Sequence, residues 1–408
     1  MTVTTQSGRA AIVTVALMAA VAIIDGFDTQ AFGPAAKAIA EELGFAVAKL
    51  GPLFSASQVG FLIGAATLGA AGDRFGRKRI LIAATILFAI CALATAYASG
   101  YWAIFAARLI GGIGLGGATP NFVSLAAAAV TPARRTQVVT MMWAAVPLGG
   151  MASALFASWA IPRHGWRLAF EIGAVAPLVL CVLLWLFLRE PPEAASLDGG
   201  VARERTGHAL FGDGRLSTTA ALWVASFLGW MSLVVTVFWS PALLSQAGVE
   251  PSVASALLAV HNVGGIVGTL LIGLLLGRLQ PHVVLAVALA ASGLATIGIA
   301  LGTTERWLLV PAMASAGFFG SASAAALIAI SSQIYPDAAR ARGVGFALAV
   351  GRLGTVVGPS LVGILVAASW STPEIYRLIS IPAFAAAVTV IFLARTRGYS
   401  NNNQGFKP

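Results

Sequence analysis

Two acidic side chains, Asp25 and Asp28, occur inside the first long apolar run of the sequence. They are three residues apart, so they share one face of a helix. An Asp near the centre of a membrane-spanning helix costs about 2.5 to 3.5 kcal/mol on insertion scales, and such a group usually faces a wet cavity on an ion or proton pathway. The spacing therefore indicates reversible protonation inside a membrane.

A simpler interpretation places both acids at the edge of the membrane, where water would keep them solvated and inert. The apolar or small residues from Ala10 to Ile24 number only about 15, whereas a helix needs about 20 residues to span a bilayer. The span must therefore continue past the acids toward Phe32 and Gly33. We expect both carboxyl groups to lie within the membrane as a proton-coupling pair.

Two arginines, Arg108 and Arg352, are the only basic residues well inside the apolar runs. A buried guanidinium forms paired hydrogen bonds with a carboxylate, which suits an organic acid as a ligand. The alternative is a structural ion pair with Asp25 or Asp28. The two roles are compatible, because a substrate can displace an internal partner.

Other polar and aromatic side chains in the apolar runs are candidates for contacts with a ligand. Amides and an imidazole can hydrogen-bond a substrate, and indoles can stack on an aromatic ring. The same groups also serve as contacts between helices, and both interpretations of His261 stay open. The candidate substrate-binding residues, beside the two arginines, are Gln58, Asn121, Trp143, Trp239, His261 and Asn262.

Composition restricts the class of protein. The chain has 408 residues, of which 58% are hydrophobic and 10% charged, whereas soluble domains average about 45–50% and about 25%. Only a polytopic membrane protein fits these values. The net charge of +10 does not indicate a nucleic-acid partner, because the basic residues collect in short segments between apolar runs. Cys91 and Cys181 lie in apolar runs and are interpreted as packing residues.

Twelve apolar runs follow one another, the first over residues 10–33 and the last over 375–394. Between the sixth and the seventh, Arg189 to Arg215 contains nine charged residues and the pair Pro191-Pro192, which is typical of a flexible linker. We therefore predict an all-α membrane protein with twelve transmembrane helices in two bundles of six. The expected domains are residues 1–190 and 216–408, joined by a cytoplasmic linker over 191–215.

The distribution of basic residues predicts the orientation. With the N-terminus in the cytoplasm, 17 of the 25 Lys and Arg residues fall in cytoplasmic segments and 6 on the outside. The reverse orientation would invert this bias against the positive-inside rule. We expect a multi-pass protein of a bacterial inner membrane with both termini in the cytoplasm.

The two halves of the sequence repeat. A shift of 204 residues superimposes seven Gly, Pro and Arg residues of the first half on identical residues of the second, although the abundance of glycine makes some matches accidental. Two halves with the same topology are typical of transporters that rock one bundle against the other. The matched residues are Gly60, Gly64, Gly69, Arg74, Gly116, Pro132 and Gly150 with Gly264, Gly268, Gly273, Arg278, Gly320, Pro336 and Gly354.

The loop between the second and third apolar runs resembles the signature loop of the major facilitator superfamily. It reads Gly69-Ala-Ala-Gly72-Asp73-Arg74-Phe75-Gly76-Arg77-Lys78-Arg79. Asp73 can meet a neighbouring arginine or the positive N-terminal end of another helix, whereas the second half has Gly277 at the matching position. The resemblance implies a conformational switch formed by Gly69, Asp73, Arg74, Gly76, Arg77 and Lys78.

Within that superfamily, Asp25-Gly26-Phe27-Asp28 looks like the Asp-Gly-x-Asp signature of the aromatic acid:proton symporters. The stretches Arg108 to Asn121 and Tyr335 to Pro359 are similar to other parts of that family. The resemblance implies a symporter that imports an organic anion, such as a benzoate-type acid, together with protons. One departure is the run Ala126–Ala129, which stands where an acidic residue is expected, so gating and substrate can differ from the family pattern.

Two other functions within the same fold remain open. A proton-coupled drug or metabolite exporter shares every feature except the charge of the substrate and the direction, and a symporter of a non-aromatic organic acid differs only in the substrate. A membrane enzyme is a weaker alternative, because the remaining histidines fall in loops or at the ends of runs and show no metal-ligand spacing. We expect no cofactor, no metal and no nucleic acid, and a monomer that binds a small acid and protons in the bilayer.

The acidic pair leads to a first prediction. Asp25→Asn and Asp28→Asn should each abolish accumulation driven by a pH gradient, because asparagine keeps the shape of the side chain but cannot take up a proton. Expression and membrane insertion should survive and serve as the control. Concentrative uptake at the normal rate in both variants would contradict a coupling role.

Overall fold

The tertiary structure, a computed structural model, describes residues 8–188, 215–335 and 340–395. Over these ranges the chain forms twelve long helices, two short 3-10 helices and no strand. The long helices are α1 (Gly8–Glu42), α2 (Leu50–Phe75), α3 (Arg77–Ala96), α4 (Tyr101–Ala128), α5 (Pro132–His164), α6 (Arg167–Phe187), α7 (Leu216–Gln246), α8 (Pro251–Leu276), α9 (Pro281–Gly302), α10 (Leu309–Ile334), α11 (Arg340–Ala367) and α12 (Thr372–Arg395).

Each long helix contains a segment long and apolar enough to cross a membrane, which confirms the predicted number of spans. Helix α1 continues past the two acids to Glu42, so the first span is longer than residues 10–33. The predicted linker from Arg189 to residue 214, with Pro191-Pro192, and the matched Pro336 lie outside the described residues.

The same helix pairs form in both halves of the chain. Helix α1 packs on α5, α2 on α4 and α3 on α6, and the second half repeats these contacts with α7 on α11, α8 on α10 and α9 on α12. The predicted pair of pseudo-symmetric six-helix bundles is therefore confirmed. In a membrane the hydrophobic effect does not drive helices together, because the lipid tails are as apolar as the side chains. Close backbone packing at small residues therefore has to hold each pair.

Glycines provide that packing. A Cβ atom on Gly64 of α2 would lie 2.0 Å from the carbonyl oxygen of Ile113 on α4, and one on Gly268 of α8 would lie 2.1 Å from that of Phe318 on α10. Both distances are far below a van der Waals contact, so any larger residue would separate the helices. Equivalent glycines thus allow the same helix pair to pack closely in both halves.

The contacts also correct the register of the repeat. Ile113 and Phe318 are equivalent although they are 205 residues apart, and the backbone of Ile23 meets Gly149 as that of Phe227 meets Gly354. The offset is therefore 204 residues for α1 and α2 but 205 for α4 and α5. The second half therefore contains one additional residue between these helices. The matches of Gly116 with Gly320 and of Gly150 with Gly354, which assumed a constant offset of 204, were accidental.

The apolar cores show how the bundles meet. On the side that carries the ends of the described chain, which we call the terminus side, each bundle has a separate core of its own. On the opposite side one cluster joins both bundles, with Phe32 and Phe54 from the first half against Phe238, Trp239 and Tyr376 from the second. The bundles are thus sealed together on the side opposite the termini and have separate cores on the terminus side.

The glycine contacts lead to a second prediction. Gly268→Ala should destabilise the protein, because its Cβ would meet the Phe318 carbonyl; overpacking of this kind typically costs about 1–3 kcal/mol. Gly273→Ala on the same helix is a matched control, since nothing lies within 4 Å of its added Cβ. Thermal unfolding of the purified variants in detergent measures the difference. Equal melting temperatures would show that this helix contact is not tight.

Candidate functional site

Helix α1 carries both acids near its midpoint and is held in one orientation by α5. A Cβ on Gly26 would lie 1.9 Å from the Val146 carbonyl oxygen, and one on Gly149 would lie 1.8 Å from that of Ile23. The face of α1 at Gly26 is thus pressed against α5. Successive residues turn by about 100° on a helix, so Asp25 and Asp28 point away from α5.

Asp28 lies inside the first bundle and pairs with Arg108 of α4. The Arg108 Nη1 and Asp28 Oδ2 atoms are 3.8 Å apart, and both side chains are buried. Arg108 Nε also donates a hydrogen bond of 2.9 Å to Ser57 Oγ on α2, and its guanidinium lies 5.2 Å from the ring centre of Phe32. The structure therefore contains the structural ion pair that was the alternative role of Arg108.

Asp25 has a different environment. Its carboxyl group is buried, and its Oδ1 atom has no hydrogen-bond partner among the described residues. Within the described ranges it forms no salt bridge within 4 Å, and Arg352 of α11, in the other bundle, is near enough to act on it electrostatically. The two acids thus differ in their partners, one within the bundle and one across the gap.

The Arg352 guanidinium lies between two aromatic rings. It is 4.2 Å from the ring centre of Phe61 on α2 and 5.1 Å from that of Trp230 on α7. Cation–π contacts of this kind orient a guanidinium and leave its N–H edge available for a planar, two-point interaction with a carboxylate. Arg352 is half-buried, so part of its side chain is accessible.

Asn262 of α8 forms a clasp with Gln30 of α1. Asn262 Nδ2 donates to Gln30 Oε1 at 2.8 Å, and Gln30 Nε2 donates to Asn262 Oδ1 at 3.1 Å. Gly150 of α5 makes room for this pair, since a Cβ there would lie 2.2 Å from the Gln30 amide. The two bundles are therefore joined at this point by a buried pair of hydrogen bonds.

Gln58 of α2 forms the second clasp, on the other lateral side of the molecule. Its Oε1 atom accepts a hydrogen bond of 3.1 Å from Thr355 Oγ1 on α11. One turn further toward the sealed side, Ser55 Oγ donates to the Val356 carbonyl oxygen at 2.6 Å and meets Ser360 Oγ at 2.7 Å. Gln58 and Asn262 occupy equivalent positions, so the clasps are related by the internal repeat.

The remaining ring-bearing candidates lie in different environments. His261 is buried beside Asn262, and neither of its ring nitrogens has a partner in the described ranges. Trp239 belongs to the seal, where its Nε1 donates to the Pro359 carbonyl oxygen at 3.1 Å and its ring meets Phe54. Trp143 is half-buried on α5.

Asn121 is not near the acids and arginines. Its Nδ2 atom donates to the Gly117 carbonyl oxygen at 2.7 Å and to that of Leu68 at 3.4 Å, and its Oδ1 atom fills the space beside Gly72. Thirteen residues separate it from Arg108 on α4, which corresponds to about 20 Å along a helix. The structure places Asn121 as a contact between α2 and α4.

The signature loop also lies away from this centre, on the terminus side. Asp73 pairs with the neighbouring Arg77 at 2.9 Å, which is one of the two partners expected for it, and Gly76 adopts a φ of 95° that the turn requires. Lys78 Nζ donates to the Trp185 carbonyl oxygen at 3.0 Å and caps the end of α6. Two further contacts are those of the Arg74 guanidinium with the Phe75 ring and of Gly69 with Pro120.

Five residues that the sequence analysis did not select complete the centre. These five residues share no sequence motif. One signal did exist: Gln58 and Asn262 are equivalent at an offset of 204 residues, which indicated that the two amides could have the same role. Their partners come from other helices and cannot be found by spacing. The additional residues are Gln30, Ser57, Phe61, Trp230 and Thr355.

The arrangement combines a buried carboxyl group without a close cation, an oriented guanidinium opposite it, and polar contacts that join the bundles. In general, a buried carboxyl group in a membrane can exchange a proton, and a guanidinium can bind a carboxylate. Across residues 8–188, 215–335 and 340–395, no three His, Cys, Asp or Glu side chains are grouped as a metal ion requires.

Comparison with known proteins identifies the family of the chain. The sequence profile of the Major Facilitator Superfamily matches residues 18–305 and 248–408. The chain is 34% identical to the 3-(3-hydroxy-phenyl)propionate transporter of Escherichia coli (strain K12), with 96% of each chain covered. It is 32% identical to the gallate transporter of Pseudomonas putida, covering 91% of this chain and 89% of the relative.

The fold is also that of solved transporters. The inward open conformation of the xylose transporter XylE from E. coli superimposes with a TM-score of 0.79 over 97% of this chain and 100% of that one, at 16% identity. Twelve spans and relatives of this kind make the chain a multi-pass inner-membrane protein. It belongs to the major facilitator superfamily and, within it, to the family of aromatic acid transporters.

Proposed function

We propose that the protein is a proton-coupled symporter that imports an aromatic carboxylate, such as a benzoate-type acid. The observation that carries this proposal is the placement of a buried acid, Asp25, and a cation flanked by two rings, Arg352, in different bundles, with no salt bridge between them in the described residues. Asp25 can take up a proton and Arg352 can bind an anion. The charge on each group then acts directly on the other. The relatives named as transporters of gallate and of 3-(3-hydroxy-phenyl)propionate support an aromatic acid as the substrate.

In this mechanism Asp25 is the proton carrier. Its carboxyl group has no ion pair within 4 Å in the described part of the chain, so it can gain or lose a proton without disrupting a close contact. While Asp25 is charged, it attracts Arg352; once it is protonated, Arg352 is free to bind a carboxylate. Uptake of the proton and of the anion are thereby coupled.

Asp28 has a supporting role. It balances the charge of Arg108 inside the first bundle at 3.8 Å, and an uncompensated charge there would cost several kcal/mol because of the apolar surroundings. Arg108 in turn lies against Phe32, which belongs to the seal between the bundles. A change in the protonation of Asp28 would therefore be transmitted to the seal.

The substrate binds in the gap with its carboxylate on Arg352. The flanking rings of Phe61 and Trp230 orient the guanidinium and provide apolar surfaces that an aromatic ring can cover. Arg108 is the second candidate for the carboxylate, since a substrate anion can displace Asp28. The half-buried Trp143 of α5 remains a candidate for stacking on the ring of the acid.

Alternating access follows from the two sides of the molecule. We propose that residues 1–190 and 216–408 rock as two bodies joined by the cytoplasmic linker over 191–215, with both termini in the cytoplasm. The sealed side then faces outward, and the structure corresponds to an inward-facing state. In this state Asp73 pairs with Arg77 rather than with the other bundle, so the signature loop is free to act as a switch when the terminus side closes.

The proton gradient supplies the driving force, since one charge crossing 100 mV contributes about 2.3 kcal/mol. An exporter of the same fold would have the same helices but would not need to recognise a carboxylate. The two arginines near the gap favour the import of an anion. Competition between benzoate and uncharged benzamide separates the two functions.

A third prediction concerns Arg352. Arg352→Lys keeps the charge but loses the planar fork, and a hydrogen bond to a charged group contributes about 1.5–3 kcal/mol. Binding of benzoate should weaken about tenfold or more, whereas Arg306→Lys, on an exposed arginine, should bind normally. The measurement is uptake of labelled benzoate into proteoliposomes with an imposed pH gradient.

Benzamide provides the matching control for the substrate. It has the shape of benzoate without the charge, so it should compete poorly with labelled benzoate for the unmodified protein. If benzamide competes as well as benzoate and Arg352→Lys binds normally, Arg352 does not bind the carboxylate, and the exporter becomes the better proposal.

A fourth prediction concerns the clasp between Gln30 and Asn262. Asn262→Ala removes both hydrogen bonds and leaves the Gln30 amide unpaired, which destabilises the sealed side. In a protein with Cys91 and Cys181 replaced by alanine and with Ala36→Cys in the seal, this variant should increase labelling by a membrane-impermeant thiol reagent. The reagent is applied from the side opposite the termini.

Asn121→Ala is the control for this experiment, because it removes an amide of the same kind within one bundle. Its labelling should equal that of the parent protein. Identical labelling in the Asn262→Ala variant would mean that the clasp does not contribute to the seal.

A further inference from the structure

The internal repeat relates two groups of three side chains that lie around the centre. In the first bundle the group is Asp28 of α1, Ser57 of α2 and Arg108 of α4. The offsets of 204 and 205 residues place Ser232 of α7, His261 of α8 and Met313 of α10 at the equivalent positions. The equivalence of α8 with α2 is direct, since Gly317 meets the His261 carbonyl oxygen as Gly112 meets that of Ser57.

In the first bundle Arg108 joins the group together. Its guanidinium contacts Asp28 and donates a hydrogen bond to Ser57. Arg108 thus interacts with both polar neighbours, Asp28 and Ser57.

In the second bundle the central residue is Met313, whose thioether has no proton to donate. The outer positions remain polar and buried: Ser232 is 3% exposed and His261 2%. Within the described ranges, Ser232 Oγ, His261 Nδ1 and His261 Nε2 have no hydrogen-bond partner. Buried polar groups are almost always paired, so three unpaired atoms in equivalent positions indicate that a ligand completes the group.

From this we infer that Ser232 and His261 form a site in the second bundle that binds a hydroxyl group on the ring of the transported acid. The inference rests on the proposed function and adds a specificity-determining pair to it. Arg108 and Arg352 bind the negative end of the substrate, and the pair of Ser232 and His261 binds a neutral polar substituent at the other end.

The chemistry of the pair fits a neutral hydroxyl group. An uncharged imidazole donates from one nitrogen and accepts at the other, and a serine hydroxyl can do either. A phenol can therefore donate to the histidine and accept from the serine. The position equivalent to the arginine is uncharged, so nothing in the group compensates a second carboxylate.

The location also fits a substrate in the gap. His261 precedes Asn262, whose amide lies between the bundles in the clasp with Gln30. Met313 belongs to the apolar cluster that both bundles share. The proposed hydroxyl site thus lies at the face of the second bundle that meets the first.

The test compares benzoate with its 2-, 3- and 4-hydroxy derivatives as competitors of labelled benzoate uptake into proteoliposomes. The unmodified protein should prefer at least one hydroxybenzoate isomer to benzoate. His261→Phe should reduce that preference about five- to tenfold, the effect of one hydrogen bond, measured as the ratio of hydroxybenzoate to benzoate affinity in the same variant. Ser232→Ala should reduce it in the same direction, and His261→Gln, which keeps a donor and an acceptor, should restore part of it.

His282→Phe, the same substitution at the start of α9, should leave the preference unchanged. If His261→Phe fails to fold, Ser232→Ala and His261→Gln still report the ratio of hydroxybenzoate to benzoate affinity. An unchanged ratio in all folded variants overturns the hydroxyl site while benzoate uptake upholds the proposed function. No uptake of any of the four acids by the unmodified protein overturns the proposed function itself.

Discussion

Charge inside a low-dielectric membrane must be compensated, and this constraint organises the centre of the protein. A buried carboxylate or guanidinium without a partner costs several kcal/mol, so each charged residue in the spans is placed where a partner exists. Asp28 and Arg108 compensate each other within one bundle. Asp25 and Arg352 interact across the gap, so their interaction depends on how the two bundles are arranged. The first pair stabilises a bundle, whereas in the proposed mechanism the second couples a proton to a motion.

The seal and the clasps make that motion a transition between two states. Aromatic rings from both halves pack into one cluster on the sealed side, and the Asn262 and Gln58 clasps mark the inner limit of this contact. Beyond the clasps, toward the terminus side, each bundle keeps its own core. A bundle with its own core can rotate as a rigid body without exposing much new apolar surface. Opening the sealed side must separate the shared cluster, which gives the two states different interfaces.

The internal repeat supplies the scaffold, and departures from it supply the chemistry. Gly64 and Gly268 repeat because helix pairs need close contact in both halves. Arg108 and Met313 differ at equivalent positions, so one bundle carries a cation where the other is neutral. Thr355 and Gly150 differ as well, and the space at Gly150 admits Gln30 as the second partner of the clasp.

The sequence by itself determined the twelve spans, the two bundles and the buried acids and arginines, because hydrophobic length and the cost of a buried charge act locally along the chain. It also identified the turn at Gly76, but the predicted loop from Gly69 to Lys78 was wrong in extent, because the residues on either side of Gly76 form the ends of α2 and α3. Only the tertiary structure decided which acid meets which arginine, that Asn121 packs between α2 and α4, and that Gln30, Ser57 and Thr355 belong to the centre. It also corrected the register of the repeat by one residue. These features depend on which faces of distant helices meet, and contacts between distant helices leave no periodic signal in the sequence.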